Sequence, residues 1–361
     1  MALVSNLPKS KVELHIHLDG AVRPSTIYEL AQKKGIDLGV KSADELKQLI
    51  YIAVDSPVCL TRFLQKFAIF TPVLIGDQEA VERISYELCE DSARDNIVYS
   101  EVRLCPHLLS DTSEGRASKE GMATPREVVV QALRGFERGE KDFNVKMRLI
   151  LTCMRHKPGR NIIKWSQEIL DLCIEFKGQG VVGIDLAGDE NMTEVDPTHV
   201  QHIAVFQEAA KLGIKRTVHA GENGTSANVL EAMDDMLCDR LGHGYHALDC
   251  KDVFGRIVQT QMHLEMCPIS SIITGSVTAD FEEHALQSMV ANKASFSVST
   301  DDPVITGSTL TDEYNFIISK YGLTPQDIMT ANLHAAKAAF LPEAEKAALY
   351  ANLCEEYGMK L

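Results

Sequence analysis

Eight short β-branched runs, separated by stretches with helical spacing, constrain the fold of this chain more than any other feature. The runs are Val12 to Ile16, Ile97 to Leu104, Met147 to Cys153, Val181 to Leu186, Arg216 to His219, Arg240 to His243, Met262 to Cys267 and Ala294 to Thr300. Between them, Asp77 to Arg94, Pro125 to Glu140, Ile162 to Phe176, His199 to Leu212 and Asn228 to Leu237 carry the apolar spacing of amphipathic helices. Such alternation calls for parallel strands joined by crossover helices. Eight units in 361 residues fit a closed (β/α)₈ TIM barrel better than an open sheet. A doubly wound sheet would normally carry a glycine-rich phosphate turn after its first strand. His17-Leu18-Asp19-Gly20 stands there instead, and there is no G-x-G-x-x-G or G-K-[ST] loop.

The first connection is far longer than one crossover needs. It holds helical patterns near Ser25 to Lys34, Ala43 to Ile50 and Leu60 to Thr71, and is expected to form a helical lid inserted after strand 1, over about 25–95. Thr71-Pro72 and Thr324-Pro325 read as helix edges, the second with Thr324 as cap and Pro325 in the first turn. Ser110 to Thr124, rich in Ser, Glu, Gly and Lys, reads as a surface loop. No repeat or linker divides the rest, so residues 1–361 are expected to form one catalytic domain.

Charge narrows the function classes. With 36 Lys and Arg against 51 Asp and Glu, the net charge of −15 opposes attraction to nucleic acid or an anionic bilayer but leaves small ligands open. There is no apolar run of membrane-spanning length and no signal-peptide core near the N-terminus, so a cytoplasmic protein with no membrane insertion is expected. The nine cysteines lack C-x-x-C pairs or framework spacing and are read as reduced core or surface residues.

In such a barrel, chemistry is built where the strands end. The expected ends are polar: His15-Ile16-His17-Leu18-Asp19, Asp185-Leu186-Ala187-Gly188, His219-Ala220-Gly221-Glu222, Gly242-His243 and Thr300-Asp301-Asp302. His15 and His17, two apart on a strand, turn both imidazoles to one face. Twelve histidines in the chain make one such triplet a plausible chance event, and an isolated one reads more readily as structural. Further His and Asp residues at other strand ends reverse that balance.

Nitrogen and oxygen donors of this kind suit zinc or a similar divalent ion. His15, His17, His219 and Asp301 are the candidate ligands. A bound water would become a hydroxide nucleophile near neutral pH. His243, one strand along, could hold it or take its proton, together with the other oxygen of Asp301. Glu222 could rise over the metal as a partly desolvated proton donor. The bland readings are a core histidine for His243 and an exposed loop carboxylate for Glu222. Asp301 on the metal would leave Asp302 for a substrate nitrogen, although an Asp before Pro303 also suits a plain turn. Strand 4 ends without a lysine able to bridge two ions, so one metal is expected.

In this order, V-E-L-H-I-H-L-D-G, D-L-A-G-D-E, T-V-H-A-G-E, L-G-H-G-Y-H and S-T-D-D-P resemble the adenosine deaminase family of the amidohydrolase superfamily. The similarity runs from about Val12 to Pro303, with more in Leu333 to Pro342. It implies hydrolysis of the 6-amino group of adenosine or 2′-deoxyadenosine, giving inosine or 2′-deoxyinosine and ammonia, with one Zn²⁺ per chain. By the same resemblance, His15, His17, His219 and Asp301 hold zinc, with His17 also lining the substrate site. Glu222 protonates purine N1, while His243 and Asp301 orient the hydroxide. Asp302 meets N7, the Gly188 N–H meets N3, and Asp19 binds the ribose 5′-hydroxyl. Leu60, Phe63, Leu64 and Phe67 resemble an apolar gate, although their spacing suits any amphipathic helix. Asp19 would repel a 5′-phosphate, which favours a nucleoside over AMP. Partners are thus a purine nucleoside and no nucleic acid, and a monomer is expected. The rivals are an adenine or AMP-type deaminase of the same fold, and a catalytically silent nucleoside-binding barrel.

Overall fold

The β-branched runs become the staves of the expected barrel. The structure, a computed structural model, describes residues 7–110, 122–156, 160–191, 199–278 and 285–359. Its strands are β1 (Lys11–His17), β2 (Ile97–Leu104), β3 (Lys146–Met154), β4 (Val181–Ala187), β5 (Lys215–Ala220), β6 (Arg240–His243), β7 (His263–Met266) and β8 (Phe296–Val298). They pair in sequence order, every pair parallel. The ring is closed just past β8, where the His17 N–H donates to the Asp301 carbonyl at 2.9 Å and the Asp301 N–H to the His15 carbonyl at 3.1 Å.

Side chains explain why β8 is shorter than the run Ala294 to Thr300. The Glu13 carboxylate accepts from the Thr300 N–H at 3.0 Å and from its hydroxyl at 2.7 Å, and Ser299 Oγ accepts the His15 N–H at 3.1 Å. These bonds replace ladder pairing and release the backbone to turn at Asp301.

Outer helices follow the strands as the apolar spacing requires. Gln78–Arg94 packs against β2 and against Pro125–Asp142. The approach of these two helices is close because Gly135 and Gly139 face it; a Cβ on either would lie 2.4 Å from Glu82 O or the Cys89 side chain. Capping boxes open several helices, Thr124 with Glu127 and Thr324 with Asp327 among them.

The long first connection divides in two. Pro24–Lys34, Ala43–Ile50, Leu60–Gln65 and Phe67–Leu74 form the inserted helices, whereas Gln78–Arg94, included in the expected lid of about 25–95, belongs to the outer ring. The pattern Leu60 to Thr71 is two helices that meet at Lys66, and Pro72 lies inside the second, not at its edge. That helix ends at Leu74, so the ring of Pro72, which has no N–H to give to the Ala68 carbonyl, interrupts a helix with only two residues left to run. Thr324-Pro325 is an edge, as expected. Most of the expected loop Ser110 to Thr124 lies outside the described residues. Among the described residues, no helix is long and apolar enough to cross a membrane.

Candidate active site

The C-terminal ends of β1, β5 and β8 bring distant polar residues to one point. Ligand atoms of His15, His17, His219 and Asp301 all lie within 4.8 Å of one another. Asp301 Oδ1 is 3.3 Å from His15 Nε2 and 3.4 Å from His17 Nε2. Its other oxygen accepts a hydrogen bond from Ser270 at 2.8 Å and stands 3.8 Å from His243 Nε2. Glu222 Oε2 lies 3.7 Å from the same nitrogen.

Two of these residues adopt backbone conformations that side chains seldom take. Asp301 has φ 64° and His243 φ 63°, both left-handed. His243 ends β6 and Asp301 lies three residues past β8, so the turn swings each side chain inward over the mouth. Strain of this sort persists only where the surroundings hold it, and it gathers at functional sites.

Carboxylates below the mouth fix the rings. His15 Nδ1 meets Glu265 at 2.9 Å, and His219 Nδ1 meets Asp185 at 3.0 Å. Arg103 ties both anchors together, 2.6 Å from Glu265 and 3.6 Å from Asp185. Arg240 Nε and Thr217 Oγ1 complete the shell of Glu265 at 2.7 and 2.9 Å. With Nδ1 engaged, His15 Nε2 faces the cluster and has no hydrogen-bond partner among the described residues. Burial drives Glu265 upward, but Arg103, Arg240 and His15 outweigh it and hold the carboxyl well below its ordinary range. Burial also lowers His17 and His219, which favours neutral imidazole.

Two carboxyl groups at the mouth behave in the opposite way. Burial, followed by the charges of Asp301 and Glu190, pushes Glu222 well above the ordinary range. Burial, with Asp301 and Asp19, does the same for Asp302, whose Oδ1 has no hydrogen-bond partner among the described residues. A bound cation would act against both shifts. Gly20 leaves room for this carboxyl: a Cβ there would fall 1.8 Å from Asp302 Oδ1.

The remaining expected residues sit around this centre in different ways. Asp19 is buried directly after β1, and Gly188 turns out of β4 with φ 109°, a conformation that favours glycine. Leu60 and Phe63 are buried, Phe67 is half-buried and Leu64 is exposed. The helix Leu60–Gln65, which carries Leu60, Phe63 and Leu64, is held toward the mouth where Thr61 Oγ1 donates to Asp189 at 3.1 Å and Val58 N–H to the Ile273 carbonyl at 2.7 Å. Sequence reasoning missed Cys267, whose sulfur lies within 4.8 Å of ligand atoms of His15, His243 and Asp301. Its place immediately after β7 was the available signal. All nine cysteines are free thiols. Glu190, Asp185, Glu265 and Arg103 were likewise not singled out for the parts they play around the site.

Fold and strand-end cluster define a class, the amidohydrolase type of (β/α)₈ barrel, in which imidazoles and carboxylates ring the mouth. A family model described as adenosine deaminase matches residues 10–356. The adenosine deaminase of Danio rerio is 43% identical over 356 residues, covering 98% of this chain and 96% of the relative. That of Bos taurus is 43% identical over 362 residues, covering 99% and 97%. In the crystal structure of an adenine deaminase from Arthrobacter aurescens the fold matches with a TM-score of 0.81 at 25% identity, covering 96% of this chain and 98% of that one. The chain belongs to the adenosine deaminase family.

Proposed function

We propose that this chain hydrolyses adenosine and 2′-deoxyadenosine to inosine and 2′-deoxyinosine, releasing ammonia, with one zinc ion per chain. The observation that carries the reading is the convergence of four metal-type donors with a buried carboxyl, Glu222, beside them, whose burial favours the protonated form. The donor set fits the ion. Three imidazoles and a carboxylate suit zinc, two of the imidazoles are favoured in the neutral form, and two are aimed by carboxylates in the manner that tunes metal ligands. His15, His17, His219 and Asp301 would hold it. When bound, such an ion lowers the pKa of water toward neutrality and thereby makes a nucleophile available.

The chain's own residues divide the remaining work. His243 Nε2 and the outer oxygen of Asp301 orient the attacking water toward purine C6 and receive its proton. Glu222 gives its proton to N1, which draws electron density from C6. A new C6–O bond forms, the C6–N bond breaks, and ammonia leaves with a proton returned from the site. Asp302 hydrogen-bonds N7. The Gly188 N–H meets N3, His17 lines the sugar side, and Asp19 accepts from the 5′-hydroxyl. Leu60, Phe63, Leu64 and Phe67 cover the base.

The rival readings are tested by substrate. Adenine lacks the sugar that Asp19 would bind, and a 5′-phosphate would meet the Asp19 carboxylate. Purified protein given adenosine, AMP and adenine should act on adenosine first, followed by ultraviolet absorbance and ammonia release. Preference for AMP would overturn the role of Asp19, and no turnover at all would leave a nucleoside-binding barrel. In this reading residues 1–361 form one catalytic domain, monomeric and cytoplasmic. Nine unpaired thiols support a reducing compartment, and gel filtration at working concentration tests the oligomeric state.

A further inference from the structure

The loop that carries Glu222 has no regular structure of its own, yet its backbone N–H groups are all engaged. β5 ends at Ala220, Gly221 turns with φ 70°, and the next helix begins only at Ser226. Four successive N–H groups therefore need partners, and one buried carboxylate supplies them all. Glu190 Oε1 accepts from Gly221 at 2.8 Å, while Oε2 accepts from Glu222 at 2.8 Å and from Asn223 and Gly224 at 3.1 Å each. Glu190 is 2% exposed.

Consecutive amides turned toward one anion form a nest, normally a binding place for phosphate or a similar ligand. Here the anion is built in, from the loop after β4. Gly224 is shaped to it: a Cβ there would lie 2.6 Å from Glu190 Oε1. The seat is also reciprocal, since the Glu190 N–H donates to Asn223 Oδ1 at 3.3 Å. Asn223 Nδ2 in turn donates to Asp189 at 2.8 Å, the residue that holds Thr61 of the inserted helix.

We propose that Glu190 is the positioning residue of the proton donor: its carboxylate fixes the 221–224 backbone so that Glu222 projects over the mouth. The proposal rests on the reading of Glu222 as the donor to N1. Glu190 itself touches neither that proton nor the base. Its charge adds to the burial that favours the protonated form of Glu222, but its main influence is geometric, and geometry of this kind affects the transition state more than ground-state binding, because proton transfer requires hydrogen-bond distance and alignment.

Glu190→Gln is the direct test. An amide offers one acceptor oxygen, so its NH₂ must face at least one of the four N–H groups, and the loop shifts while the volume stays the same. The zinc-loaded variant should lose about 10²-fold in kcat on adenosine, with KM changed by less than about threefold. Inhibition by inosine and metal content should match the parent, which a general loss of structure would not allow. Glu190→Asp, with both oxygens retained, should recover part of the lost kcat. Gly224→Ala pushes on the carboxylate from the other side and should cost about tenfold in kcat, again without moving KM. It carries the test if Glu190→Gln does not fold. A kcat within about twofold of the parent in the folded variant, or a loss that appears in KM and inosine binding, overturns the proposal. Glu222→Gln, measured in parallel, keeps the two readings apart: near-parent turnover there refutes the donor itself, whereas an inactive Glu222→Gln beside a normal Glu190→Gln refutes only the positioning role.

Discussion

Inside the barrel, below the mouth, Arg240 lies 2.6 Å from Glu101 and 2.7 Å from Glu265, and Arg103 joins Glu265 to Asp185. At the mouth, Asp301, Asp302 and Glu222 gather beside imidazoles, and no arginine or lysine forms an ion pair with any of them among the described residues. Both regions bury charge almost completely. The lower one satisfies it with its own cations, whereas the upper one leaves it to be satisfied by something bound. Unpaired buried acids lower stability, so a fold keeps them only where a ligand or a reaction offsets the cost.

Removing the metal breaks the comparison most completely. Chelation should abolish turnover and zinc should restore it, while His219→Ala should lower zinc content by elemental analysis. An unchanged stoichiometry would discard that ligand. Glu222→Gln follows, with about 10³-fold lower turnover and intact metal and inosine binding, read by steady-state kinetics.

The next pair separates the two regions by sign. Arg103→Met leaves Glu265 and Asp185 without a shared cation and should cost about 3–5 kcal/mol in denaturant melts. Asp302→Asn in the metal-free protein should instead stabilise by about 1 kcal/mol. The gain should grow as pH rises above the unfolded carboxyl pKa of 3.8, because the folded protein then holds a proton that the unfolded chain has lost. In stronger acid both states are protonated and the gain should vanish. A destabilised Asp302→Asn would remove the distinction between paired and unpaired charge.

Smaller effects sharpen the edges of the mouth. Asp19→Asn should raise KM for adenosine about tenfold with little change in kcat, as expected for one hydrogen bond made in ground and transition states alike. Thr61→Val, which cuts the bond from the inserted helix to Asp189, should change kcat/KM only a few-fold.

Much of this was legible before any fold was known. Period-two spacing put His15 and His17 on one face, and every expected strand is present because β-branched runs between helical stretches have few other uses. The five motifs marked the strand ends. The carboxylates below were harder to read. Glu101, Arg103, Asp185 and Glu265 are single charges inside apolar runs, and nothing local tells which of them pair across strands far apart in sequence. Pro72 misled because its cost depends on where in a helix it falls.

By itself, then, the order of residues determined the alternation of strand and helix, the residue types at each strand end and the family to which the chain belongs. Only the closed barrel decided which atoms meet: that His15 is aimed by Glu265, that Cys267 lies beside the cluster, and that Glu190 seats the loop of Glu222. The reason is physical. Local propensity and periodicity act over a few residues, whereas distances and charge pairing arise from packing between segments far apart in the chain, as His15 and Glu265 are.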